Sequence, residues 1–250
     1  YTTVQDYPGR VGYWNVGIPP SGPMDSFSFR CANWLVGNRP SEAGLEVTMT
    51  GPTICFHADT IFSLCGAELE ADLNGKPVSW WQAITATRGS VLTLGKIAGY
   101  GSRSYIAFQN GLVIDAYLGS KSTFPKGQFG GFHGRPITRG DLLKVTEGPI
   151  DENRNYYADK RQIAELTDHW VIGAVPGPYA APDYFLDEDV TALYASELTV
   201  HYNSNRLGYR LIGPKPKFAR KDGGEGGRHP SNLHDCVYGI GTVNFTGDMP

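Results

Sequence analysis

Apolar and polar residues alternate with a period of two along much of the first half of the chain. This pattern is typical of β-strands with one buried face. It predicts strands at residues 45–49, 53–56, 61–65, 91–94 and 104–108. The same reasoning predicts further strands at 142–145, 198–202 and 241–245. An Asn-Gly pair at 74–75 predicts a hairpin, because a type I′ turn needs positive φ at both central residues.

Helical spacing is confined to two short stretches. The first is marked by apolar residues three to four apart: Phe27, Cys31, Trp34 and Leu35. Asp25 or Ser26 is its predicted N-cap, and Gly37 ends it. A second helix is predicted from Pro182 through Tyr194. Helices and strands do not alternate regularly, so the predicted fold class is mainly β, antiparallel and barrel-like, with a few short helices.

The amino-acid composition narrows the classes of protein to which the chain can belong. The 32 glycines and 17 prolines among 250 residues suit many strands joined by tight turns. A net charge of −3 argues against a general nucleic-acid binder, and no apolar run approaches the ~18 residues of a membrane span. The four cysteines show no CxxC spacing, which is typical of structural thiols in a reducing compartment. We therefore expect a cytoplasmic protein.

The last fifty residues, 201–250, concentrate the polar chemistry of the chain. They carry seven of the 22 Lys+Arg and four of the 25 Asp+Glu, which gives +3 here and −6 elsewhere. Glycines and prolines surround these groups: Asn203, Ser204, Asn205, Arg206, Arg210, Glu225, His229, Ser231, Asn232, His234, Asp235 and Asp248. The stretch favours an anionic or electron-rich ligand, and a solvated surface loop is the alternative.

The N-terminal region offers two further features. Pro-Pro-Ser-Gly-Pro at 19–23 is a stiff segment that either lines a site or only forms a rigid turn before the helix. Glu46 lies within a predicted strand, so its carboxylate either faces solvent or points into a site.

Several common site chemistries fit poorly. The spacing of His229, His234 and Asp235 matches no standard zinc pattern, so no metal site is predicted. A Ser-His-Asp triad from Ser231 or Ser204 with a histidine and Asp235 lacks a GxSxG elbow. Asparagines around a serine, followed by arginines, instead suit a planar group that both donates and accepts hydrogen bonds, such as a urea or an amide.

At these residues the chain resembles a known family. The segments HYNSNRLGYRLIGPKPKFAR, DGGEGGRHPSNLHD and NFTGDMP are similar to the carboxyltransferase domain of urea carboxylase (urea amidolyase), in the allophanate hydrolase subunit 2-like family. TTVQDYPGRVGYW and GIPPSGPMDSFSFR carry the same resemblance near the N-terminus. The likeness runs over essentially all 250 residues.

The resemblance implies cyclophilin-like antiparallel β-barrels in tandem. The first barrel region would span 1–150 and the start of a second 169–250, joined through a polar linker around 148–168. The chain begins at Tyr1 without a methionine and stops directly after a strand-like segment, so we expect a piece of a larger polypeptide with the second barrel cut short.

The implied activity is that of a biotin-dependent carboxyltransferase. It moves CO2 from carboxybiotin to a urea nitrogen and gives allophanate. Biotin would arrive on a separate carrier domain, since no Met-Lys-Met biotinylation site is present, and ATP would be used by a separate biotin carboxylase domain. The implied partners are therefore urea and those two domains, with no nucleic acid and no membrane.

The resemblance covers the polar residues, and their roles are hypotheses. Asn203, Asn205 and Asn232 orient urea, and Arg206 and Arg210 favour the carboxylate. Ser204 and Ser231 complete the substrate-binding set. The proton is accepted or relayed by Asp235 or Glu225, helped by His229 or His234. The pocket wall consists of Gln5, Asp6, Pro20, Ser21, Gly22 and Asp25.

Two other functions remain open from the sequence. The first is a protein like the C subunit of 5-oxoprolinase, from the bacterial branch of the wider family, which resembles the N-terminal half and the Ser-Asn-Arg segment. The second is a non-catalytic regulatory module that uses the same fold to bind a partner. The dense Asn, Asp and His chemistry favours an enzyme, because interfaces rely more on aromatic anchors.

Overall fold

The computed structural model describes residues 1–151, 156–221, 223–224, 227–234 and 239–250. The chain divides into two compact units, Tyr1–Trp170 and Val171–Pro250. The described strands pair antiparallel throughout, and the two α-helices are short. The expected mainly β, antiparallel fold class is therefore confirmed. The assignment of two tandem barrel regions stays a prediction.

Among the described residues of the first unit, the regular structure includes nine strands and one α-helix. They are β1 (Thr2–Gln5), α1 (Ser26–Leu35), β2 (Gly44–Thr48), β3 (Thr53–Cys55), β4 (Thr60–Gly66), β5 (Leu69–Leu73), β6 (Lys76–Pro77), β7 (Ala83–Ala86), β8 (Val91–Ile97) and β9 (Arg103–Phe108). Short 3-10 helices lie at Trp14–Val16 and Lys160–Gln162. One sheet has the order β1-β2-β9-β4-β7 and the other β3-β8-β5-β6.

The five-stranded sheet is covered on both faces. Phe62 and Leu64 of β4 join the core that it shares with residues of the four-stranded sheet, such as Leu92. Ile61 and Cys65, on the opposite face of β4, pack beneath α1. Every residue of β4 is consequently buried, although its sequence alternates as a half-buried strand does.

The turn and the two helix ends that the sequence predicts in the first unit are confirmed. Asn74 and Gly75 adopt φ of 57° and 75° in the turn between β5 and β6, as a type I′ turn requires. Asp25 is the N-cap of α1, because its side chain accepts a hydrogen bond of 3.0 Å from the Ser28 N–H. Gly37 follows the helix with φ of 80°.

Glu46 is 2% exposed, so its carboxylate points inward. Its Oε2 accepts hydrogen bonds from the Met24 N–H at 2.8 Å and the Tyr105 hydroxyl at 3.2 Å. Its Oε1 lies 3.6 Å from Nε of Arg103. Burial, followed by the negative charge of Glu46, raises the pKa of Tyr105 far above its usual value. The solvent-facing alternative for Glu46 is therefore wrong.

Regular structure is sparse in the part of the second unit that the structure describes. It comprises α2 (Asp187–Ala195), β10 (Thr199–Val200) and β11 (Leu211–Ile212), the last two paired antiparallel. The predicted helix begins five residues late, because the Asp189 carboxylate accepts the Leu186 N–H at 3.0 Å and fixes the start there.

Two predicted strands are wrong. Residues 142–145 contribute only a single bridge, Leu112 to Val145. Residues 241–245 form no strand because turns interrupt them on both sides: the Thr242 N–H bonds to the Gly239 carbonyl, and Thr246 pairs with Met249. The predicted strand at 198–202 is shortened to two residues.

The hydroxyl of Tyr105 connects the core to the N-cap of α1, since it accepts the Asp25 N–H at 2.7 Å. We expect Tyr105→Phe to lower the free energy of unfolding by about 1–3 kcal/mol, because a partly buried N–H and a buried carboxylate each lose a partner. Equilibrium urea denaturation measures the change.

Tyr100→Phe is the matched control for this variant, because Tyr100 is 55% exposed. Equal urea midpoints for the Tyr105→Phe and Tyr100→Phe proteins would contradict the role of the buried hydroxyl.

Candidate functional site

The Asn203–Arg210 segment forms the hairpin between β10 and β11. The backbones of Asn205 and Gly208 exchange two hydrogen bonds of 3.1 Å each. The side-chain oxygen of Asn205 accepts the Leu207 N–H at 2.8 Å. Ser204 Oγ donates to the His201 carbonyl and accepts the Arg210 N–H. Two of the predicted substrate-binding side chains, Ser204 and Asn205, therefore help to build the turn that presents the others.

A second turn brings together residues that are distant in the sequence. His229 Nδ1 lies 2.9 Å from Ser231 Oγ, and His229 Nε2 lies 3.2 Å from Asp248 Oδ1. Asp248 Oδ2 lies 2.6 Å from Lys215 Nζ. The backbone N–H of Gly247 donates to Ser231 Oγ at 3.0 Å. These four side chains, His229, Ser231, Asp248 and Lys215, are called the histidine cluster below.

Charge within the histidine cluster favours ionised Asp248. The hydrogen bond from Lys215, with a smaller effect of His229, holds the pKa of the Asp248 carboxyl below its usual value. The side chains of His229 and Asp248 are 34% and 38% exposed, and that of Lys215 is 72% exposed. The cluster therefore lies at the edge of the unit, within reach of a ligand.

A cavity of about 620 Å³ borders the histidine cluster. Lys215 and Ser231 line it together with a set of aromatic side chains, which includes Tyr179, Tyr184, Phe185, Phe218 and Phe245. The ring of Phe218 meets that of His229 edge to face at 5.4 Å. A largely apolar cavity with a few polar groups at one side is the usual form of a small-molecule site.

Asn232 lies beside the histidine cluster, since its N–H donates to the His229 carbonyl at 2.9 Å. Gly224 supports this turn: a Cβ on Gly224 would lie 2.3 Å from the His229 carbonyl oxygen, and its φ is 73°. His234 is exposed. Glu225 and Asp235, the predicted proton acceptors, lie outside the described residues.

The predicted wall residues of the first unit are held by a buried polar network. The Asp6 carboxylate accepts the Ser120 hydroxyl at 2.6 Å and the Lys121 N–H at 2.8 Å. Gln5 is fully buried, and its amide donates to Thr3 Oγ1 at 3.0 Å. These contacts give Gln5 and Asp6 a structural role in the first unit.

The Pro19–Gly22 loop is fixed by the chain next to it. The Arg10 N–H donates to the Pro20 carbonyl at 2.5 Å, and Ser21 adopts a left-handed φ of 56°. A Cβ at position 9 would lie 2.5 Å from the Pro20 carbonyl oxygen, so this close approach requires Gly9. The assignment of this loop to the wall of the substrate pocket stays a prediction.

Sequence reasoning missed three charged residues. Arg10 is fully buried, with Nε 3.0 Å from the Tyr117 carbonyl and Nη2 2.9 Å from the Ser122 carbonyl. Burial lowers the pKa of its guanidinium. Asp248 and Lys215 were not assigned roles either, although both lie inside segments that carry the resemblance.

Two further observations concern metal-binding groups and membrane-spanning helices. Within the described ranges, no group of three His, Cys, Asp or Glu side chains is placed to hold a metal ion. Neither helix in that part of the chain is long and apolar enough to cross a membrane.

Comparisons with known proteins place the chain in a family. The sequence profile of the carboxyltransferase domain, subdomains A and B, matches residues 16–250. The chain is 48% identical to urea amidolyase of Lachancea kluyveri, and the match covers all of this chain but 14% of that protein. It is 36% identical to the C subunit of 5-oxoprolinase of Escherichia coli, over 85% of the chain and 66% of that protein.

Solved structures give the same assignment. The crystal structure of Kluyveromyces lactis urea carboxylase matches with a TM-score of 0.92 and 43% identity, over the whole chain and 23% of that protein. The K. lactis urea amidolyase structure matches equally well, over 16% of its length. The chain thus spans less than a quarter of these relatives. The extent of the match, in sequence and in fold, shows that this chain belongs to the carboxyltransferase domain family, subdomains A and B.

Proposed function

We propose that the chain is the carboxyltransferase part of a biotin-dependent urea carboxylase, which moves CO2 from carboxybiotin to a urea nitrogen and gives allophanate. The observation that carries this proposal is the whole-chain match to urea carboxylase and urea amidolyase, at 43–48% identity and a TM-score of 0.92. The match to the bacterial 5-oxoprolinase protein has lower identity and covers less of the chain.

The cavity beside the histidine cluster fits the ring system of biotin. A volume of about 620 Å³ falls within the ~300–1,000 Å³ that ligand pockets occupy. Aromatic walls suit the apolar part of the ring system, and Ser231 and Lys215 offer hydrogen bonds to its ureido group. When bound, biotin supplies the carboxyl group that is transferred. Aromatic walls would shield that group from water, to which it is otherwise lost.

Urea is the proposed acceptor of the carboxyl group. Asn203, Asn205 and Asn232 are assigned to orient it, because an amide side chain offers both a donor and an acceptor. Asn232 has the strongest structural support, since it follows His229 and Ser231 in one turn. Arg206 and Arg210 are assigned to the carboxylate, with its planar charge.

The proposed setting is a multidomain enzyme in the cytoplasm. A biotin carrier domain would bring the carboxyl group, and a biotin carboxylase domain would use ATP to load it. The described cysteines Cys31, Cys55 and Cys65 are free thiols, which supports a reducing compartment.

The first test supplies the intact protein with ATP, bicarbonate and either urea or 5-oxoproline, and follows ADP release. We expect release that depends on urea, because the chain is 45–48% identical to two urea amidolyases. Release with 5-oxoproline alone would assign the chain to the sister branch. Release with neither would favour the non-catalytic binding module.

The second test removes one side chain that is assigned to urea. We expect Asn232→Ala to raise the KM for urea about tenfold or more, the equivalent of one or two lost hydrogen bonds. The turn should persist, because the bond between Asn232 and the His229 carbonyl uses the backbone N–H. Steady-state kinetics with varied urea measures the change.

Asn15→Ala is the matched control, because Asn15 is an exposed residue of the first unit. An unchanged KM in the Asn232→Ala protein would remove Asn232 from the urea site. Asn205→Ala is a less direct test, since it also deletes the turn bond to Leu207.

A further inference from the structure

We propose that Ser231, His229 and Asp248 form a proton relay that opens on the aromatic cavity, with the Ser231 hydroxyl as the group that meets the substrate nitrogen. This assignment rests on the proposed function, and it names the residues that handle the proton. Ser231 lines the cavity, and the other two members extend from it to the surface of the unit.

The direction of each hydrogen bond follows from groups that can only donate. The backbone N–H of Ser231 donates to His229 Nδ1 at 3.2 Å, so Nδ1 carries a lone pair. The Gly247 N–H donates to Ser231 Oγ, so the hydroxyl proton of Ser231 is available to point at Nδ1. The neutral ring is then protonated on Nε2, which donates to Asp248. The relay is therefore oriented toward uptake of a proton at Nδ1.

Asp248 and Lys215 fix this orientation. Asp248 Oδ1 accepts from His229, while Oδ2 accepts from Lys215 Nζ at 2.6 Å. The lysine keeps the carboxylate ionised, and an ionised carboxylate stabilises the imidazolium that forms when His229 takes up a proton. Asp248 is a positioning residue, because it acts through His229.

The proton and the bonds balance in this arrangement. As the substrate nitrogen forms its N–C bond to the carboxyl carbon, its N–H proton passes to Ser231 Oγ. Ser231 at the same time gives its own proton to His229 Nδ1. The bond that held the carboxyl carbon to its donor nitrogen breaks, and the proton returns by the same route to that donor nitrogen. His229 thus regains its starting protonation state when the cycle closes.

The test replaces one carboxylate oxygen by an amide in the intact protein. In Asp248→Asn the side chain keeps its size and an oxygen that can accept from His229 Nε2, but it loses its negative charge. Without that charge the imidazolium that forms at His229 loses its stabilising partner, while the Ser231 N–H still holds the Nε2–H tautomer of the neutral ring. We expect kcat for urea carboxylation to fall about 10²- to 10⁴-fold with little change in the KM for urea.

Glu188→Gln is the matched control, because Glu188 forms an exposed pair of 3.0 Å with Lys217 in the same unit. The carboxylate-to-amide change is identical, and we expect wild-type kcat. Thermal unfolding of both variants should match wild type, since partly exposed ion pairs contribute little to stability. A kcat loss shared by Glu188→Gln would overturn the relay.

The second readout does not depend on activity. Magic-angle-spinning NMR of the intact protein with 15N-labelled histidine reports the tautomer of each ring, and His229→Gln identifies the His229 signals. We expect an Nε2–H ring in the wild-type protein and in Asp248→Asn, because the Ser231 N–H donates to Nδ1 in both. An Nδ1–H ring in the wild type would overturn the relay.

The outcomes separate the two proposals. If the wild-type protein shows no urea-dependent turnover, the proposed function fails. If the wild type turns over urea and Asp248→Asn has the same kcat, the relay alone fails. Should Asp248→Asn not fold, Ser231→Ala serves instead, and wild-type kcat in that variant would equally overturn the relay.

Discussion

The first unit depends on the complete burial of β4, an inner strand of its larger sheet. Phe62 and Leu64 fill the space between the two sheets, while Ile61 and Cys65 support α1. Each additional Å² of apolar surface removed from water contributes about 25 cal/mol, so a strand buried on both faces contributes roughly twice as much as one buried on a single face. Ser63 completes the helix-facing side, since its hydroxyl donates to the Ala32 carbonyl at 2.7 Å.

Buried charges then fix the irregular segments around this core. Glu46 holds the Met24 backbone, Asp6 holds the Ser120–Lys121 backbone, and Arg10 holds the carbonyls of Tyr117 and Ser122. Arg10 donates to backbone carbonyls, whereas Glu46 and Asp6 each combine a backbone N–H with side-chain partners. These partners keep a charged side chain tolerable in a poorly hydrated environment. Long loops without regular structure thereby obtain defined positions.

The first unit could be predicted from the sequence because its information is local. The period of two identified most of its strands, the Asn-Gly pair gave the β5–β6 turn, and Asp25 gave the helix start. The alternation of apolar and polar residues did not predict that β4 is buried on both faces. Burial of its second face depends on where α1 packs, and the pattern within the strand does not encode that position. It also failed at 241–245, where the flanking turns prevent strand pairing.

The candidate site was only partly predictable for a related reason. The resemblance selected the region, including His229 and Ser231, but no spacing rule links His229 to Asp248, which lies 19 residues away. Lys215 joins them from another part of the chain. Such groupings are set by tertiary contacts, and sequence patterns express mainly secondary structure.

The burial of β4 also determines how the protein opens. Its strand neighbours β7 and β9 cover both of its edges, and the helix and the second sheet cover both of its faces. Its amide protons can therefore exchange with solvent only when most of the first unit comes apart. The hairpin that carries Asn203 and Asn205, in contrast, is held by a two-residue ladder and exposed turn bonds, so it can open while the core remains intact.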